Sequence, residues 1–440
     1  MSKLNKNNFN KNVLTLITGS VIAQGLPIAL SPILTRIYTP DDFGVIALYM
    51  AITMIFSSIA TGRYELAIML PKKDSDALTL LIISALISFF ISLLSLLIVF
   101  IFNHEITVFL GVLELSHWLY FIPLSIFLSG IYQASICWCS RNKEFKDISQ
   151  NKILQSGSLV SVQLIFSKLG SAGLVIGYII SQVISVFMLV KVMYSKKKSS
   201  NTNKKIKMYA LAKRYKNFPL VNTWSALLNI ASLQVPVLML TTLFNASTTG
   251  FFSLSQRIIQ MPMSLIGVSI GQVYYQRASK IKNDKIKLKK LTLDLHNKLL
   301  LIGIFPTLII LSFGDDLFAI VFGETWRVAG EYAQLLSIWV YFVFVSSPLS
   351  HLMTIYEKHK ESVIFNAFLF VSRISSLLLG WLLFNDPHVA IGLYALVGTL
   401  VWSSFVFYLM KIAGVSYAET ANQLYKYLAV IAAAALLNLI

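Results

Sequence analysis

Two arginines lie inside apolar stretches that are long enough to cross a membrane. Arg257 lies in "FFSLSQRIIQMPMSLIG" and Arg373 in "NAFLFVSRISSLLLGW". A charged side chain at the centre of a hydrocarbon layer costs about 2.5 to 3.5 kcal/mol on insertion scales, so each should face water, a partner or an anionic ligand. A guanidinium binds phosphate oxygens through paired hydrogen bonds. We therefore predict that both arginines contact an anionic ligand, with a structural salt bridge as the alternative.

Polar side chains recur on one face of several of the same stretches. One such face carries Asn222, Ser225, Asn229, Ser232 and Pro236, at spacings of three and four residues. Amides offer both donors and an acceptor, which suits the hydroxyl groups of sugars. The amide side chains that we predict to contact a ligand are Gln24, Asn222, Asn229, Gln260 and Asn366. The alternative is that small and polar residues only let helices pack closely.

Two further arginines complete the predicted ligand contacts. Arg63 stands beside Glu65 in "TGRYELAIMLPKKD", where a local ion pair or snorkelling to the interface is the alternative. Arg36 lies near the outer end of a predicted helix, where snorkelling competes with a gating role.

Composition identifies the chain as an all-α polytopic membrane protein. Of its 440 residues 56% are apolar and 13% charged, with a mean hydropathy of +0.71. A water-soluble fold cannot bury that much apolar surface. Apolar runs of about 20 residues recur, and each can cross the hydrocarbon core as a helix. The alternating strands of a membrane barrel do not recur.

Hydropathy predicts two sets of six helices separated by a basic segment. The predicted helices are 12–34, 43–61, 77–102, 116–139, 150–168 and 172–194, then 217–243, 249–276, 292–313, 330–355, 362–384 and 388–410. We predict an N-terminal lobe over 1–195, a basic cytoplasmic linker over 196–215 and a C-terminal lobe over 216–440, with a central cavity between the lobes. The segment 421–440 is a marginal thirteenth span.

The distribution of basic residues predicts the orientation. Nearly all of the 37 Lys and Arg residues fall at the N-terminus, in every second connection and in the tail, whereas the other connections hold only Arg36, Lys168 and Arg327. Cytoplasmic loops carry such an excess, so we predict a cytoplasmic N-terminus. The net charge of +18 then needs no nucleic-acid partner, because the basic residues face anionic lipids.

The stretch "SPILTRIYTPDDFGVIALYM" punctuates two helices. Thr39 is predicted to cap the second helix, with Pro40 at its first position and Asp42 completing a capping box. The phrase is echoed by "VPVLMLTTLFNASTTGFFSL", in which Gly250 matches Gly44. Two halves of six helices that begin on the same side are related by an axis along the membrane normal.

No enzymatic machinery is visible in the sequence. There is no Walker A loop, no HExxH and no GxSxG motif. Cys137 and Cys139 are spaced too closely for an easy disulfide, and the six histidines are scattered, so we predict no metal and no cofactor.

The N-terminal phrases resemble a known family. "LTLITGSVIAQGLPIALSPILTRIYTPDDFGVIALYMAI", followed by "GRYELAIMLPKKDSDA", resembles the start of bacterial oligosaccharide flippases of the O-antigen and capsule pathways. These belong to the multidrug/oligosaccharidyl-lipid/polysaccharide (MOP) exporter superfamily. The resemblance covers about the first 75 residues.

The resemblance implies a MATE-like fold of about twelve transmembrane helices in two lobes. It implies translocation of undecaprenyl-diphosphate-linked oligosaccharide repeat units, by alternating access, from the cytoplasmic to the periplasmic leaflet of the inner membrane. The implied partners are that lipid-linked oligosaccharide, membrane lipids, and the polysaccharide polymerase and chain-length machinery.

Three alternatives stay open. A cation-coupled multidrug or lipid exporter of the same superfamily fits the helix count, although arginines suit a cationic drug poorly. A major-facilitator transporter should carry a GxxxDxxGRR-like phrase where this chain has "TGRYELAIMLPKKD". A membrane polysaccharide polymerase or ligase should have a large external loop with catalytic residues.

Overall fold

The computed structural model describes the backbone of residues 3–195 and 204–437. These residues form helices joined by short turns, with no strand among them, which confirms the all-α prediction. Of the predicted linker, 196–203 lies outside the described residues, and Lys204–Arg214 forms a helix.

The helices of the N-terminal half are α1 (Lys3–Ala29), α2 (Ser31–Ile37), α3 (Pro40–Ser57), α4 (Tyr64–Ala67), α5 (Asp74–Leu110), α6 (Leu115–Leu119), α7 (Ile122–Arg141), α8 (Phe145–Ile165), α9 (Ser171–Ser195), α10 (Lys204–Arg214) and α11 (Thr223–Leu243). Those that follow are α12 (Ala246–Lys280), α13 (Lys285–Phe322), α14 (Arg327–Leu349), α15 (His351–Ile355), α16 (His359–Phe384), α17 (Pro387–Ile412) and α18 (Tyr417–Leu437).

Two compact units divide the chain, Met1–Gly250 and Phe251–Ile440. In the first unit α3 packs against α7, α9 and α11, and the buried Tyr49 hydroxyl lies 2.7 Å from Ser125 Oγ. In the second unit α14 packs against α13 and α17. The division into lobes around a linker at 196–215 stays a prediction.

Ten helical stretches of the described residues are long and apolar enough to cross a membrane. Two predicted spans do not qualify, although α8 has 21 residues and α12 has 35. Both helices are long enough to span but carry many polar side chains. Since polar side chains in membrane helices are costly and often functional, we expect ligand contacts on α8 and α12, the two most polar of the twelve predicted spans.

The predicted capping box at α3 is confirmed. The Thr39 amide donates to Asp42 Oδ2 at 2.8 Å, and the Asp42 amide donates to Thr39 Oγ1 at 3.3 Å. The repeated phrase has its own cap, because Asn245 Oδ1 accepts from the Thr248 amide at 2.8 Å. Thr39 and Asn245 each precede the matched glycine by five residues, so the same device starts α3 and α12.

The two matched glycines meet within the first unit. A Cβ on Gly44 would lie 1.9 Å from the carbonyl oxygen of Ala246, and a Cβ on Gly250 would lie 1.9 Å from that of Pro40. Each glycine thus packs on the residue that lies four positions before the other. This reciprocal contact gives Pro40–Gly44 and Ala246–Gly250 a local two-fold relation.

The thirteenth segment forms α18, which runs parallel to α13. Lys289 pairs with Glu419 at 2.8 Å, and eight residues further along both helices Asn297 Oδ1 accepts from the Tyr427 hydroxyl at 3.2 Å. Residue numbers rise together in both pairs, so the two helices point the same way.

Candidate functional site

Arg257 lies about 16 Å along α12, a distance that corresponds to half of a hydrocarbon core. Its side chain is exposed. Within the described residues its guanidinium makes no hydrogen bond and no ion pair, so the salt-bridge alternative finds no support there. Gln260 lies one turn further on the same face and is partly exposed.

Arg373 differs from Arg257 in its surroundings. It lies on α16 and is buried, with 8% of its surface exposed. Tyr394 of α17 lies close enough to interact with its charge. Asn366 lies two turns earlier on α16 and is exposed. Of the two intramembrane arginines, Arg257 is the one with an open guanidinium.

Arg63 forms the local ion pair that the sequence offered as an alternative. Its Nη1 lies 3.4 Å from Glu65 Oε1, and the other carboxylate oxygen accepts from the Thr61 hydroxyl. Glu65 is buried, whereas Arg63 keeps 28% of its side chain exposed. Gly62 and Arg63 both have left-handed backbone angles, with φ of 56° and 60°. This turn follows the end of α3, and the Glu65 carboxylate after it is buried in the protein.

Arg36 and Arg63 lie at opposite ends of α3. Arg36 is in the last turn of α2, before α3 begins, and is exposed. The 18 residues of α3 separate the two by about 27 Å. They therefore cannot bind one phosphate group together in this conformation.

On both α1 and α11, the polar side chains near the start of the face are exposed and those further along are buried. Gln24 is exposed, whereas Ser31, further along α1 and α2, is buried. Asn222 and Asn229 are exposed at the start of α11, whereas Ser232 is buried. In both cases the open half is the one that the charge count places towards the cytoplasm, so the predicted ligand-binding amides lie on accessible surface.

The polar face of α12 shows where packing explains small residues. A Cβ on Gly271 would lie 3.0 Å from His351 Nε2, and a Cβ on Gly267 would lie 3.6 Å from Ser347 Oγ. Only the Gly271 contact is tighter than an ordinary van der Waals contact, where α12 approaches the start of α15. Packing therefore accounts for Gly271, but not for Arg257.

Lys152 makes a polar contact with α1 that hydropathy did not predict. The predicted helix begins at residue 150 and places Lys152 at its very start, whereas α8 begins at Phe145 and places Lys152 two turns inside. Its Nζ donates to Ser20 Oγ of α1 at 3.0 Å. The signal in the sequence is the polar run "FKDISQNK", which hydropathy excludes from a span but which is helical.

The arrangement combines cations and amides on apolar helices. Exposed guanidinium groups bind phosphate oxygens, and exposed amides bind hydroxyl groups. These are the chemical needs of a ligand with an anionic head and sugar substituents. The class defined by fold and side chains is thus a polytopic helical transporter.

Solved structures support this class through the fold. The chain is similar to the lipid II flippase MurJ in its inward closed conformation, with a TM-score of 0.70 and 14% identity over 96% of this chain and 92% of that one. It is also similar to an inward-facing multidrug resistance MATE transporter of the MOP superfamily, with a TM-score of 0.64 and 13% identity over 92% and 95% of the two chains. The predicted MATE-like MOP fold is confirmed.

The family follows from the sequence comparison. Residues 33–331 match the model of a polysaccharide biosynthesis protein family, and the chain belongs to that family. A membrane protein in the cps region of Klebsiella pneumoniae is 24% identical over 76% of this chain and 68% of the relative. The lipopolysaccharide biosynthesis protein WzxC of Escherichia coli K12 is 23% identical over 45% of this chain, and that match spans 40% of WzxC.

Proposed function

We propose that this protein moves undecaprenyl-diphosphate-linked oligosaccharide repeat units from the cytoplasmic to the periplasmic leaflet of the bacterial inner membrane. Translocation proceeds by alternating access, with the N-terminus in the cytoplasm. The units then supply the polymerase and chain-length machinery of O-antigen or capsule synthesis. The family and the fold support a membrane transporter of polysaccharide biosynthesis, and the exposed arginine and amide side chains support a ligand with phosphate and sugar groups.

One observation carries the proposal, namely the exposed side chain of Arg257 within α12, a predicted span, without an ion pair or hydrogen bond among the described residues. An arginine without a protein partner in a membrane span is costly unless water or an anionic ligand surrounds it. A diphosphate is such a ligand, and it cannot cross hydrocarbon unaided at a useful rate. Arg373 and the exposed amides supply further contacts to the same class of ligand.

Deletion of the gene tests the proposal. We expect surface polysaccharide to disappear while single lipid-linked units accumulate on the cytoplasmic leaflet, measured by mass spectrometry and by accessibility of the sugars to an added glycosidase in inside-out vesicles. Accumulation on the periplasmic leaflet would instead indicate a polymerase or ligase. Normal polymer with raised drug sensitivity would indicate a multidrug exporter, and either result contradicts the proposal.

A further inference from the structure

Lys152 places a positive charge inside the first unit, outside the ligand contacts assigned above. It lies about 10 Å from the start of α8 and is half-buried. Its partner Ser20 lies about 8 Å inside the apolar stretch Thr15–Ile37. The ammonium is thus held against an apolar helical stretch, where a charge is costly unless polar groups surround it.

The protein neutralises this charge incompletely. Among the described residues the Lys152 ammonium makes one hydrogen bond, to the neutral Ser20 hydroxyl, and no ion pair. An ammonium has three donors, so two stay available for a ligand or water. A snorkelling lysine would extend towards the cytoplasmic interface. Lys152 instead reaches sideways to α1, whereas Lys146, one and a half turns earlier, is the exposed cation of the interface.

Amide side chains lie one turn beyond each member of the Ser20–Lys152 pair. Gln24 lies one turn beyond Ser20 on α1 and is exposed, and Gln155 lies one turn beyond Lys152 on α8 and is partly exposed. The close approach of α1 and α8 is built in, because a Cβ on Gly19 would lie 1.7 Å from Ser149 Oγ. The contact between α1 and α8 therefore presents one cation, Lys152, with the amides of Gln24 and Gln155 further along the same two helices.

The helix order adds an independent argument. α8 is the fifth helix of the first predicted set of six, and α16 is the fifth of the second set. α16 carries Arg373 within its span, and α8 carries Lys152. Beyond its first turn, the fifth helix of each predicted set thus carries one Lys or Arg.

We propose that Lys152, held by Ser20, binds a phosphate oxygen of the translocated lipid, with Gln24 and Gln155 beside it. The inference rests on the proposed function and assigns it a phosphate contact within the first unit. The chemistry required of the ligand is a phosphate or diphosphate group.

Binding measurements on the full-length protein in lipid nanodiscs test this role. The probes are undecaprenyl diphosphate without sugar and inorganic diphosphate. We expect Lys152→Gln to raise the Kd for undecaprenyl diphosphate about ten-fold or more, since a charge-assisted hydrogen bond is lost. Lys152→Arg should stay near wild type because it keeps the charge. Lys146→Gln, which removes a charge from the same helix, is the matched control and should leave the Kd unchanged.

A second variant separates ligand binding from a purely structural tie. Ser20→Ala removes the hydrogen bond between α1 and α8 but keeps the ammonium, so its Kd should rise much less than that of Lys152→Gln. Lys152→Met replaces Lys152→Gln if the latter is not monodisperse. Tighter binding of undecaprenyl diphosphate than of inorganic diphosphate supports the lipid as the source of the phosphate, and equal binding supports the same contact with a free phosphate.

Three results overturn the inference. An unchanged Kd in Lys152→Gln contradicts it while leaving the proposed function intact. An equal loss in Ser20→Ala and Lys152→Gln assigns Lys152 to helix packing. Failure of the wild-type protein to bind either probe contradicts the proposed function as well.

Discussion

Two arginines of this chain differ in how far the protein itself satisfies their charge. Arg63 has Glu65 as a partner, and that carboxylate is also bonded to Thr61. Arg257, twelve residues into the predicted span formed by α12, has no ion pair or hydrogen bond among the described residues. The sequence favoured a local ion pair or snorkelling for Arg63 and ligand contact for Arg257, but it did not reveal the left-handed Gly62–Arg63 turn beside this ion pair.

Arg257→Ala should lower transport at least ten-fold, because the variant loses charged hydrogen bonds to the ligand. The measurement is surface polysaccharide in a deletion strain that expresses the variant, with membrane abundance followed by immunoblot. Arg327→Ala is the control, since Arg327, at the start of α14, already pairs with Asp315, Asp316 and Glu324. Normal transport by Arg257→Ala at normal abundance would remove Arg257 from the ligand site.

Glu65→Ala should destabilise the protein by about 1 to 3 kcal/mol, because it leaves the Thr61 hydroxyl and the Arg63 guanidinium without their acceptor. Thermal unfolding of the purified protein in detergent measures the loss. Glu361→Ala breaks the more exposed pair with Lys358 and should change stability by less than about 1 kcal/mol. Equal melting temperatures for the two variants would show that the buried carboxylate contributes little.

At the scale of elements, caps were predictable and close packing was not. The Thr39 capping box follows from residue types at fixed spacing. The start of α8 was misplaced by five residues, since its first turns are polar and are helical because they pack on α1. Contacts such as that of Ser20 with Lys152 join residues 132 positions apart, and spacing along a chain does not reveal them.

Gly44→Ala and Gly250→Ala should each destabilise the protein by about 1 to 3 kcal/mol, because the added methyl group meets a backbone carbonyl that cannot move aside easily. Detergent melting curves measure this effect. Gly25→Ala, in α1, is the matched control, since a Cβ there has nothing within 4 Å. If all three variants melt alike, the reciprocal glycine contact is not tight.

α18 should cross the membrane in the same direction as α13. Its 21 residues span about 31 Å, and its pairing with α13 is parallel. Alkaline phosphatase fused after the last residue should be active and a green fluorescent protein fused there dark, whereas the same reporters inserted after Gly414 should behave in the opposite way. Identical reporter behaviour at both positions would place α18 on one side of the membrane.

At the scale of the whole molecule, hydropathy and charge predicted the class but not the contacts. Apolar runs and basic connections indicated about twelve spans, and the fold agrees with MOP exporters. Which cations are open depends on pairings across helices, as the contrast between Arg257 and the buried Arg373 shows. The proposed ligand therefore depends on the exposed charge of Arg257, which only the folded chain reveals.

Reconstitution of the purified protein measures translocation of the lipid-linked oligosaccharide itself. The purified protein in liposomes that carry an undecaprenyl-diphosphate-linked oligosaccharide on one leaflet should make that oligosaccharide accessible to an enzyme or lectin on the other side. We predict transfer by the wild-type protein that is at least ten-fold faster than by Arg257→Ala. No transfer above protein-free liposomes, with folded protein and an imposed ion gradient, would contradict the account.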